Sequence, residues 1–446
     1  MAKRLARRYN TNHCKAQREA AFRASRIEME EPLLSPYRAL DLTDEKGFFC
    51  GRILGDFGVD VIKIEPPGGD PSRRIGPFYH DIPDPEKSLH WFAYNANKRG
   101  ITLNIETADG RELFRRLVKT ADFVIESFPP GYMDKIGLGY ASLSQINPGI
   151  IMTSITPFGQ TGPWKDYQGS DIALWALSSY MYVEGDADRA PVQFGFPQSY
   201  LHAGLEAAVS SLVALHHRHL TGEGQWVDVS AQQSLIVINL QNQQHWNLAR
   251  FNPTRAGPCV HRSGVKWAYQ RRIWQCKDGF VCFILMAGAT GAPGNRALTE
   301  WMESDGLAPG CMKQINWPAY SIRADEIAIE DYEEITKALT IFFSRHTKAE
   351  LYQEAIKRRI PLYPCSTIED LRKDAHLKEK GFWTEIEHPE LKESLVYPRP
   401  CALLSENSCQ IRRRAPLIGE HNEEVYGREL GLSGEEMVLL KQAGAI

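Results

Sequence analysis

The chain has 446 residues, of which 43% are hydrophobic and 24% are charged, and its formal net charge is −3. This length predicts two or three domains with large apolar cores, and the composition excludes collagen-like and wholly disordered chains. The near-neutral charge offers no general attraction to nucleic acid or to a membrane surface, so neither is expected as a partner. The nine cysteines are scattered and form no CxxC pair. They argue against a disulfide framework and a zinc site, and they favour a reducing cytoplasm.

The first 30 residues differ from the rest because they are rich in lysine and arginine and poor in apolar residues. A secretory signal needs an apolar core, which this segment lacks. No later stretch is long and apolar enough to suggest a membrane span. We therefore expect residues 1–30 to form a disordered or extended N-terminal tail.

From residue 37 onward, short apolar runs alternate with amphipathic segments, as in an α/β protein. Two strand–helix–strand units and the strands that follow them predict a parallel sheet. The predicted strands are residues 37–42, 59–64, 101–105, 123–126, 150–154 and 226–229, and the main predicted helices are residues 47–57, 109–119 and 201–219.

After residue 229 the α/β rhythm weakens. Two short strands, 272–275 and 280–285, flank the turn residues Asp278 and Gly279, which is a hairpin signal. We predict a smaller α+β domain over residues 230–345, inserted into a large Rossmann-like domain of residues 31–229 and 346–446.

Common catalytic motifs are missing. The turn after the first strand has no GxGxxG, although Glu65 ends the second strand, where a dinucleotide fold carries its ribose-binding acid. No permanently bound cofactor and no metal are expected. Lys98, Arg99 and Lys135 lie in loops of the predicted sheet and could contact phosphates, although on this evidence alone solvated loop charge is the better explanation.

Six sequence blocks identify a family resemblance. They are CGRILGDFGVDVIKIEPPGGD (50–70), NANKR (95–99), FPPGYMDKIGLG (128–139), TPFGQTGP (156–163), RHLTGEGQ (218–225) and RAPLIGEH (414–421). Together and in this order they resemble the class III (CaiB/BaiF-type) CoA-transferases. The resemblance implies a large Rossmann-like parallel-sheet domain, a smaller α+β domain, and a dimer of two interlocked rings.

The resemblance also implies that coenzyme A or an acyl-CoA is a substrate that lies on the large domain. Adenine is expected near residues 103–105, and Lys135 is expected to hold a phosphate. The implied contacts follow the first four strands of the sheet: Lys46, Gly47, Pro66, Leu103, Asn104, Ile105, Glu106, Ser127, Phe128, Pro129, Lys135 and Ile136.

The catalytic carboxylate of the family is replaced in this sequence. In the family an aspartate attacks the donor thioester to form an acyl anhydride, and it then carries CoA as an aspartyl thioester. The corresponding position, counted from Gly204 and Arg218, is Tyr200. A phenol cannot replace a carboxylate in this chemistry. Asp171 is the alternative, displaced nucleophile.

We therefore expect a non-catalytic subunit of a heteromeric CoA-transferase, whose partner is a homologous catalytic subunit that carries the aspartate, in a heterodimer or heterotetramer. Residues 42–47 and the insertion at 71–91 resemble family subunits that lack the aspartate and serve CoA transfer from succinyl-CoA to an aryl- or alkyl-substituted succinate such as benzylsuccinate. Two alternatives remain open: a self-sufficient acyl-CoA enzyme that uses Asp171, and a CoA-binding homodimer without enzymatic activity.

Overall fold

The computed structural model describes residues 32–261, 269–286, 288–320, 329–400, 402–405 and 409–446. The predicted tail at residues 1–30 lies outside this range. The chain divides into two compact units. The first contains the described residues up to Leu174 together with Phe196–Leu235 and Gly381–Ile446, and the second contains Trp175–Gly195 and Ile236–Lys380.

The first unit is built on a six-stranded parallel sheet, which confirms the predicted α/β class. Its strands are β1 (Arg38–Asp41), β2 (Asp60–Glu65), β3 (Lys98–Thr102), β4 (Phe123–Glu126), β5 (Ile151–Thr156) and β6 (Trp226–Ser230). They lie in the order β3-β2-β1-β4-β5-β6, and every adjacent pair is parallel. The chain adds strands in one direction from β1 to β3 and in the opposite direction from β4 to β6, so β1 and β4 flank a topological switch point. Open α/β sheets bind ligands at such a point.

Helices connect these strands and continue beyond them. The first eight helices are α1 (Phe48–Asp56), α2 (Leu89–Asn95), α3 (Ala108–Val118), α4 (Tyr132–Lys135), α5 (Tyr140–Ile146), α6 (Asp171–Leu177), α7 (Tyr180–Val183) and α8 (Ser199–Thr221). Short 3₁₀ turns at Pro71–Arg74 and Tyr79–Asp81 lie between β2 and α2.

Local sequence explains where these helices begin and end. The Thr107 side chain accepts a hydrogen bond from the Gly110 backbone and caps α3. Leu113, Phe114 and Leu117 fall on one face of that helix and are buried in the core of the first unit. The long helix α8 ends where Gly222 adopts a left-handed conformation, which glycine accommodates without strain.

The start of β3 corrects a sequence prediction. Residues 98 and 99 were expected in a loop before a strand at 101–105, but they form the first two positions of β3. Lys98 is fully buried, and Arg99 makes ion pairs with Asp60, Glu424 and Glu429. The prediction that these two side chains could contact phosphates is therefore wrong, because both cationic groups are already paired with carboxylates of the protein.

The buried ammonium groups belong to an ionic cluster under α1, formed by Asp41, Lys63 and Lys98. The Lys98 Nζ lies 2.8 Å from Asp41 Oδ2 and also donates to the Phe48 carbonyl at 2.9 Å. The Lys63 Nζ lies 3.8 Å from Asp41 Oδ1 and 3.8 Å from Asp70 Oδ2. Burial lowers the pKa of Lys98 to about 8, although Asp41 opposes that shift. The two lysines outweigh the effect of burial on Asp41 and hold its pKa below the usual range.

Small residues let α1 lie directly on this cluster. A Cβ atom at Gly51 would lie 2.3 Å from Asp41 Oδ2, and one at Gly47 would lie 2.4 Å from the Thr43 side chain. Both positions therefore need glycine for close approach rather than for an unusual backbone conformation. The end of the loop between β1 and α1, and the first turn of α1, therefore pack closely against Thr43 and the buried Asp41 carboxylate.

The second unit is mainly helical and carries small antiparallel sheets. Its elements and those that complete the chain are α9 (Ala231–Ile238), α10 (Leu240–Ala249), β7 (Cys259–His261), β8 (Tyr269–Arg271), β9 (Ile273–Cys276), β10 (Gly279–Phe283), α11 (Gly288–Ser304), α12 (Gly310–Gln314), α13 (Ile329–Ser344), α14 (Lys348–Arg358), β11 (Leu362–Pro364), α15 (Ile368–Lys373), α16 (Ala375–Glu379), β12 (Trp383–His388), β13 (Glu393–Pro398), a π-helical segment (Glu423–Glu429) and α17 (Gly434–Gln442). The predicted hairpin is present as β9 and β10.

The limits of the second unit differ from the predicted domain of 230–345. Strand β11 pairs with β10, and Leu351 and Ala355 of α14 are buried in the same core as Trp274 and Phe283. The unit therefore continues to Lys380, and it also includes Trp175–Gly195.

The C-terminal segment returns to the first unit and completes it. The carbonyl of Pro416 accepts hydrogen bonds from Trp91 Nε1 at 3.0 Å and from Arg73 at 2.9 Å. The phenol of Tyr426 donates to the Thr102 carbonyl at 2.7 Å, and Asn422 accepts from the Thr102 backbone at 2.9 Å. These contacts join residues more than 300 positions apart in sequence.

Within the described residues, no helix has both the length and the apolar character that crossing a bilayer requires.

The ionic cluster leads to a stability prediction. Lys98→Met should lower the free energy of unfolding by about 3–5 kcal/mol, because it leaves the Asp41 carboxylate buried beside fewer cations. Urea denaturation measures the change. Lys373→Met removes an exposed lysine paired with Glu369 and should leave stability nearly unchanged. Equal stability of the two variants would contradict a structural role for the cluster.

Glu126 at the end of β4 leads to a pH prediction. Burial raises the pKa of its carboxyl from 4.5 to about 7, although a hydrogen bond from the Phe128 backbone opposes the shift. Between about pH 4.5 and 7 the folded chain thus retains a proton that the unfolded chain releases. The free energy of unfolding therefore falls as pH rises through this window, and above it the contribution of this carboxyl is constant. From pH 5 to pH 8 the wild-type chain should lose roughly 2–3 kcal/mol of stability relative to Glu126→Gln.

Thermal unfolding of both proteins across this pH range tests that difference. Glu387→Gln, on the exposed side of β12, is the matched control and should follow the wild-type profile. Parallel profiles for wild type and Glu126→Gln would show that the Glu126 carboxyl is not perturbed.

Candidate functional site

A cavity of about 520 Å³ opens at the carboxyl ends of β1 to β4 in the first unit. Its walls come from the loops that follow these strands and from the 3₁₀ turn that follows β2. The lining residues are Leu42, Asp44, Glu45, Ile64, Glu65, Pro66, Asp70, Pro71, Ser72, Leu103, Asn104, Ile105, Glu106, Ser127, Phe128 and Tyr132. The volume is within the usual range of small-molecule sites.

Two reciprocal hydrogen-bond pairs hold the walls of this cavity together. The Ser127 hydroxyl donates to Asp44 Oδ1 at 2.8 Å and accepts from the Asp44 backbone at 2.9 Å. The Ser72 hydroxyl donates to Glu45 Oε2 at 2.7 Å and accepts from the Glu45 backbone at 3.3 Å. The loop after β1 is therefore tied on one side to the loop after β4 and on the other to the segment after β2.

The sequence-predicted CoA residues fall into two groups. Seven of them line the cavity: Pro66, Leu103, Asn104, Ile105, Glu106, Ser127 and Phe128. The other five do not: Lys46, Gly47, Pro129, Lys135 and Ile136. Lys46 forms an ion pair with Asp44 at the cavity wall. Pro129 lines a separate cavity of about 170 Å³ beside Glu126.

The carboxylate of Glu65 is not available to a ligand ribose. It is fully buried and receives two hydrogen bonds from the Arg73 guanidinium, at 2.6 and 2.8 Å. The same guanidinium lies 3.8 Å over the Trp91 ring. This pair therefore anchors the 71–91 insertion to the sheet edge, which agrees with the lack of a dinucleotide motif in the sequence.

Tyr200 lies in the first turn of α8, close to the acidic side of the cavity. Its hydroxyl donates a hydrogen bond to the Gly169 carbonyl. Burial raises the pKa of this phenol well above its usual range, and the negative charges of Asp44, Glu45 and Asp171 raise it further. The phenol is therefore neutral at physiological pH and already has an acceptor.

Asp171 supports the beginning of α8. Its Oδ1 atom accepts hydrogen bonds from the Gln198 and Ser199 backbones, at 2.9 and 2.8 Å, and from the Ser199 hydroxyl at 2.6 Å. A carboxylate in this position satisfies helix N–H groups that have no partner within the helix, and it complements the helix dipole. These contacts give Asp171 a structural explanation.

Sequence reasoning did not identify the acidic and aromatic part of the lining, chiefly Asp44, Glu45, Ser72 and Tyr132. Asp44 and Glu45 lie within residues 42–47, which were used only as part of the resemblance to family subunits that lack the aspartate. Ser72 and Tyr132 reach the cavity through the folding of the insertion and of α4, which no local pattern reveals.

A possible metal-ligand group in the described residues lies in the second unit, where Cys311, Asp331 and Glu334 are close together. Burial raises the pKa of the Cys311 thiol, and the Glu334 carboxylate raises it further. Exposed acidic groups of this kind are common without a metal ion, so this group by itself does not establish a metal site.

Comparison with known proteins identifies the family. A model described as CoA-transferase family III matches residues 34–422. The subunit BbsE of succinyl-CoA:(R)-benzylsuccinate CoA-transferase from Thauera aromatica is 32% identical over 413 residues, which cover 92% of this chain and 98% of that protein. The beta subunit of succinyl-CoA–L-malate CoA-transferase from Chloroflexus aurantiacus is 30% identical over 394 residues, which cover 87% of this chain and 92% of that protein.

A solved structure supports the same relationship. A CaiB/BaiF family protein from Brucella suis matches with a TM-score of 0.77 and 27% identity, over 90% of this chain and 100% of its own. The predicted family resemblance is thereby confirmed, and so is the predicted combination of a parallel-sheet domain with smaller sheets. On its sequence and its fold, this chain belongs to CoA-transferase family III.

Proposed function

We propose that this chain is the subunit without a catalytic carboxylate in a heteromeric CoA-transferase. The proposal rests on the state of Tyr200, whose phenol is neutral and hydrogen-bonded. The family resemblance assigns this position to the nucleophilic aspartate. A phenol in this state neither attacks a thioester at neutral pH nor forms the mixed anhydride that CoA transfer requires.

The names of two relatives support both the heteromer and the substrates. The Thauera relative is named as a subunit of an enzyme for succinyl-CoA and (R)-benzylsuccinate, and the Chloroflexus relative as the beta subunit of an enzyme for succinyl-CoA and L-malate. Both acceptors are substituted succinates. We infer that the complex formed by this chain transfers CoA from succinyl-CoA to a succinate with an aryl or alkyl substituent.

We assign coenzyme A to the cavity at the ends of β1 to β4. Seven of the residues implied by the resemblance line it, and it lies at the switch point of the sheet, where ligands of α/β proteins bind. Lys46, Gly47, Pro129, Lys135 and Ile136 are assigned to the outer part of the same site. The nucleotide phosphates would extend toward Lys135, which is exposed on α4.

The surface of α8 supports a partner subunit. Leu205, Val209 and Val213 are four residues apart and 49%, 52% and 63% exposed, so they form one apolar stripe on the helix. The opposite face is buried and packs through small residues such as Gly204, whose added Cβ would lie 3.0 Å from Phe49. We propose that the partner, in an interlocked dimer or a dimer of such dimers, covers this stripe.

The alternative of a self-sufficient enzyme depends on Asp171. Three hydrogen bonds to its Oδ1 atom at the start of α8 stabilise the charged carboxylate and reduce its nucleophilicity. The structure therefore favours the heteromer. A CoA-binding homodimer without activity is the remaining alternative.

Isolation of the native complex tests the proposal. When this chain is purified with a tag from a native cytoplasmic extract of its source cells, native mass spectrometry should find a homologous chain of similar size at equal stoichiometry. That chain should have aspartate where this one has Tyr200. The purified pair should transfer CoA from succinyl-CoA, whereas this chain alone should not.

Two results would contradict the proposal. Turnover by this chain alone that is abolished in Asp171→Asn would make it a self-sufficient enzyme. A homodimer that binds CoA but gives no turnover with any homologous chain of the same cells would make it a non-enzymatic protein.

The apolar stripe of α8 leads to a second prediction. In the double variant Val209→Asp and Val213→Asp, the affinity for the partner should fall at least about tenfold, because apolar burial is lost and two charges must be desolvated. Ile356→Asp in α14, where the side chain is 56% exposed, is the matched control and should retain the partner. Circular dichroism should show that all variants are folded. Undiminished partner binding by the double variant would exclude this face.

A further inference from the structure

A second cavity of the first unit, of about 170 Å³, lies beside the end of β4. One side is formed by the strand residues Glu126, Met152, Ser154 and Trp226, and the other by the loop after β4 and by helices α4 and α5. We call it the β4–β6 cavity, after the strands that line it. Among the described residues, none lines both this cavity and the one assigned to coenzyme A.

The lining of the β4–β6 cavity is largely apolar. Met133 and Met152 belong to the core of the first unit, and Pro129, Tyr140 and Trp226 also line the cavity. Water molecules would find few hydrogen-bond partners against these side chains, whereas an apolar cavity of about 150 Å³ is large enough to hold a benzene-sized molecule. The size and the lining therefore suit a small ligand with an apolar body.

Glu126 gives this cavity one polar end. Trp226 Nε1 donates to the Ser154 hydroxyl at 2.9 Å, and that hydroxyl is hydrogen-bonded to the Glu126 carboxyl. The Phe128 backbone N–H donates to Glu126 Oε2 at 2.7 Å. A carboxylate has about four acceptor positions, so these two contacts leave capacity for a further donor. Because Glu126 is only 3% exposed, a molecule inside the cavity is well placed to supply that donor.

The charges around the cavity restrict the kind of ligand. Among the described residues, no lysine, arginine or histidine lines it, whereas Glu126 and Asp134 do. Burial raises the pKa of Glu126 to about 7, and the Asp228 and Asp134 carboxylates add to this shift. A carboxylate or phosphate group would therefore be repelled, and an ammonium group would lose its hydration in a largely apolar space. An uncharged ligand avoids both costs.

We propose that the β4–β6 cavity binds a small uncharged alcohol with an aryl or branched alkyl body, whose hydroxyl donates a hydrogen bond to Glu126 while its body packs against Met133 and Met152. Ala141 and Trp226 are exposed at the edge of the cavity, so the ligand can enter from solvent. Pro129 is the one lining residue that is also assigned to coenzyme A, so the two ligands should bind together rather than compete.

Ligand-observed NMR of the full chain tests the proposal with three benzene derivatives of similar size. They are benzyl alcohol, ethylbenzene, in which a methyl group replaces the hydroxyl, and the anion benzoate. At pH 8, where the Glu126 carboxyl is ionised, benzyl alcohol should bind with a dissociation constant of roughly 1 mM or below. Benzoate should bind at least about tenfold more weakly than benzyl alcohol. Saturating coenzyme A should not displace benzyl alcohol.

Three variants locate the ligand. Glu126→Leu should lower the affinity for benzyl alcohol relative to ethylbenzene at least about tenfold, because the hydrogen bond to a charged acceptor is lost. Ala141→Phe adds a ring at the edge of the cavity and should prevent binding of both compounds. Ala108→Phe, at an equally exposed alanine on α3, is the matched control and should bind both as wild type does. If Glu126→Leu does not fold, Ala141→Phe still tests the site.

Four outcomes would overturn the inference. They are no binding of benzyl alcohol by wild type at millimolar concentration, unchanged binding in Ala141→Phe, displacement of benzyl alcohol by coenzyme A, and tighter binding of benzoate than of benzyl alcohol. An unchanged ratio between the two uncharged compounds in Glu126→Leu would refute the role of the carboxyl. These results do not depend on the proposed heteromer, because every residue of the cavity belongs to this chain.

Discussion

The buried ionic cluster of Asp41, Lys63 and Lys98 is the constraint on which the first unit depends. Charges out of contact with water must be paired, and here the pairs connect the end of β1, the middle of β2 and the start of β3. Helix α1 packs on this cluster, and its Phe48 ring lies about 5 Å from the Lys63 and Lys98 ammonium groups. The loop between β1 and α1 therefore lies between the cluster and the cavity, which Asp44 and Glu45 line. The position of the cavity wall therefore follows from electrostatics deeper in the sheet.

Much of the first unit could be predicted from sequence because its signals are local. The apolar runs and amphipathic segments predicted β1, β2, β4, α1 and α3 to within one or two residues, and the family resemblance predicted the class of fold. The start of β3 was missed because Lys98 and Arg99 look like loop residues until Asp41 and Asp60 are known to be beside them. The C-terminal hairpin of β12 and β13 was missed because its alternating polar residues carry no strong apolar pattern.

The residues of the candidate site also fall into those that could be predicted from sequence and those that could not. Residues that the family resemblance implied as CoA contacts, such as Pro66, Leu103 and Ser127, were predicted from sequence, and they line the cavity. The partners that give the cavity its charge and shape could not, because Ser72 and Tyr132 come from segments whose position depends on long-range contacts. Tyr200 was predicted to replace the catalytic aspartate of the family, but its hydrogen bond to Gly169 and the electrostatic influence of Asp44 on it required the folded chain.

The return of the C-terminal segment has a consequence for synthesis on the ribosome. Trp91 and Arg73 find their shared acceptor at Pro416, and the Trp91 bond spans 325 positions of sequence. A nascent chain that has exposed only the β1–β6 sheet therefore has unsatisfied polar groups along β3 and in the insertion until the last forty residues emerge. Closing so long a loop is entropically costly and slow. The second unit, whose core extends from β9 to β11, has the shorter contacts and can be complete before the first unit is closed. A period of translation therefore remains in which the open sheet edge is exposed to chaperones or to another nascent subunit.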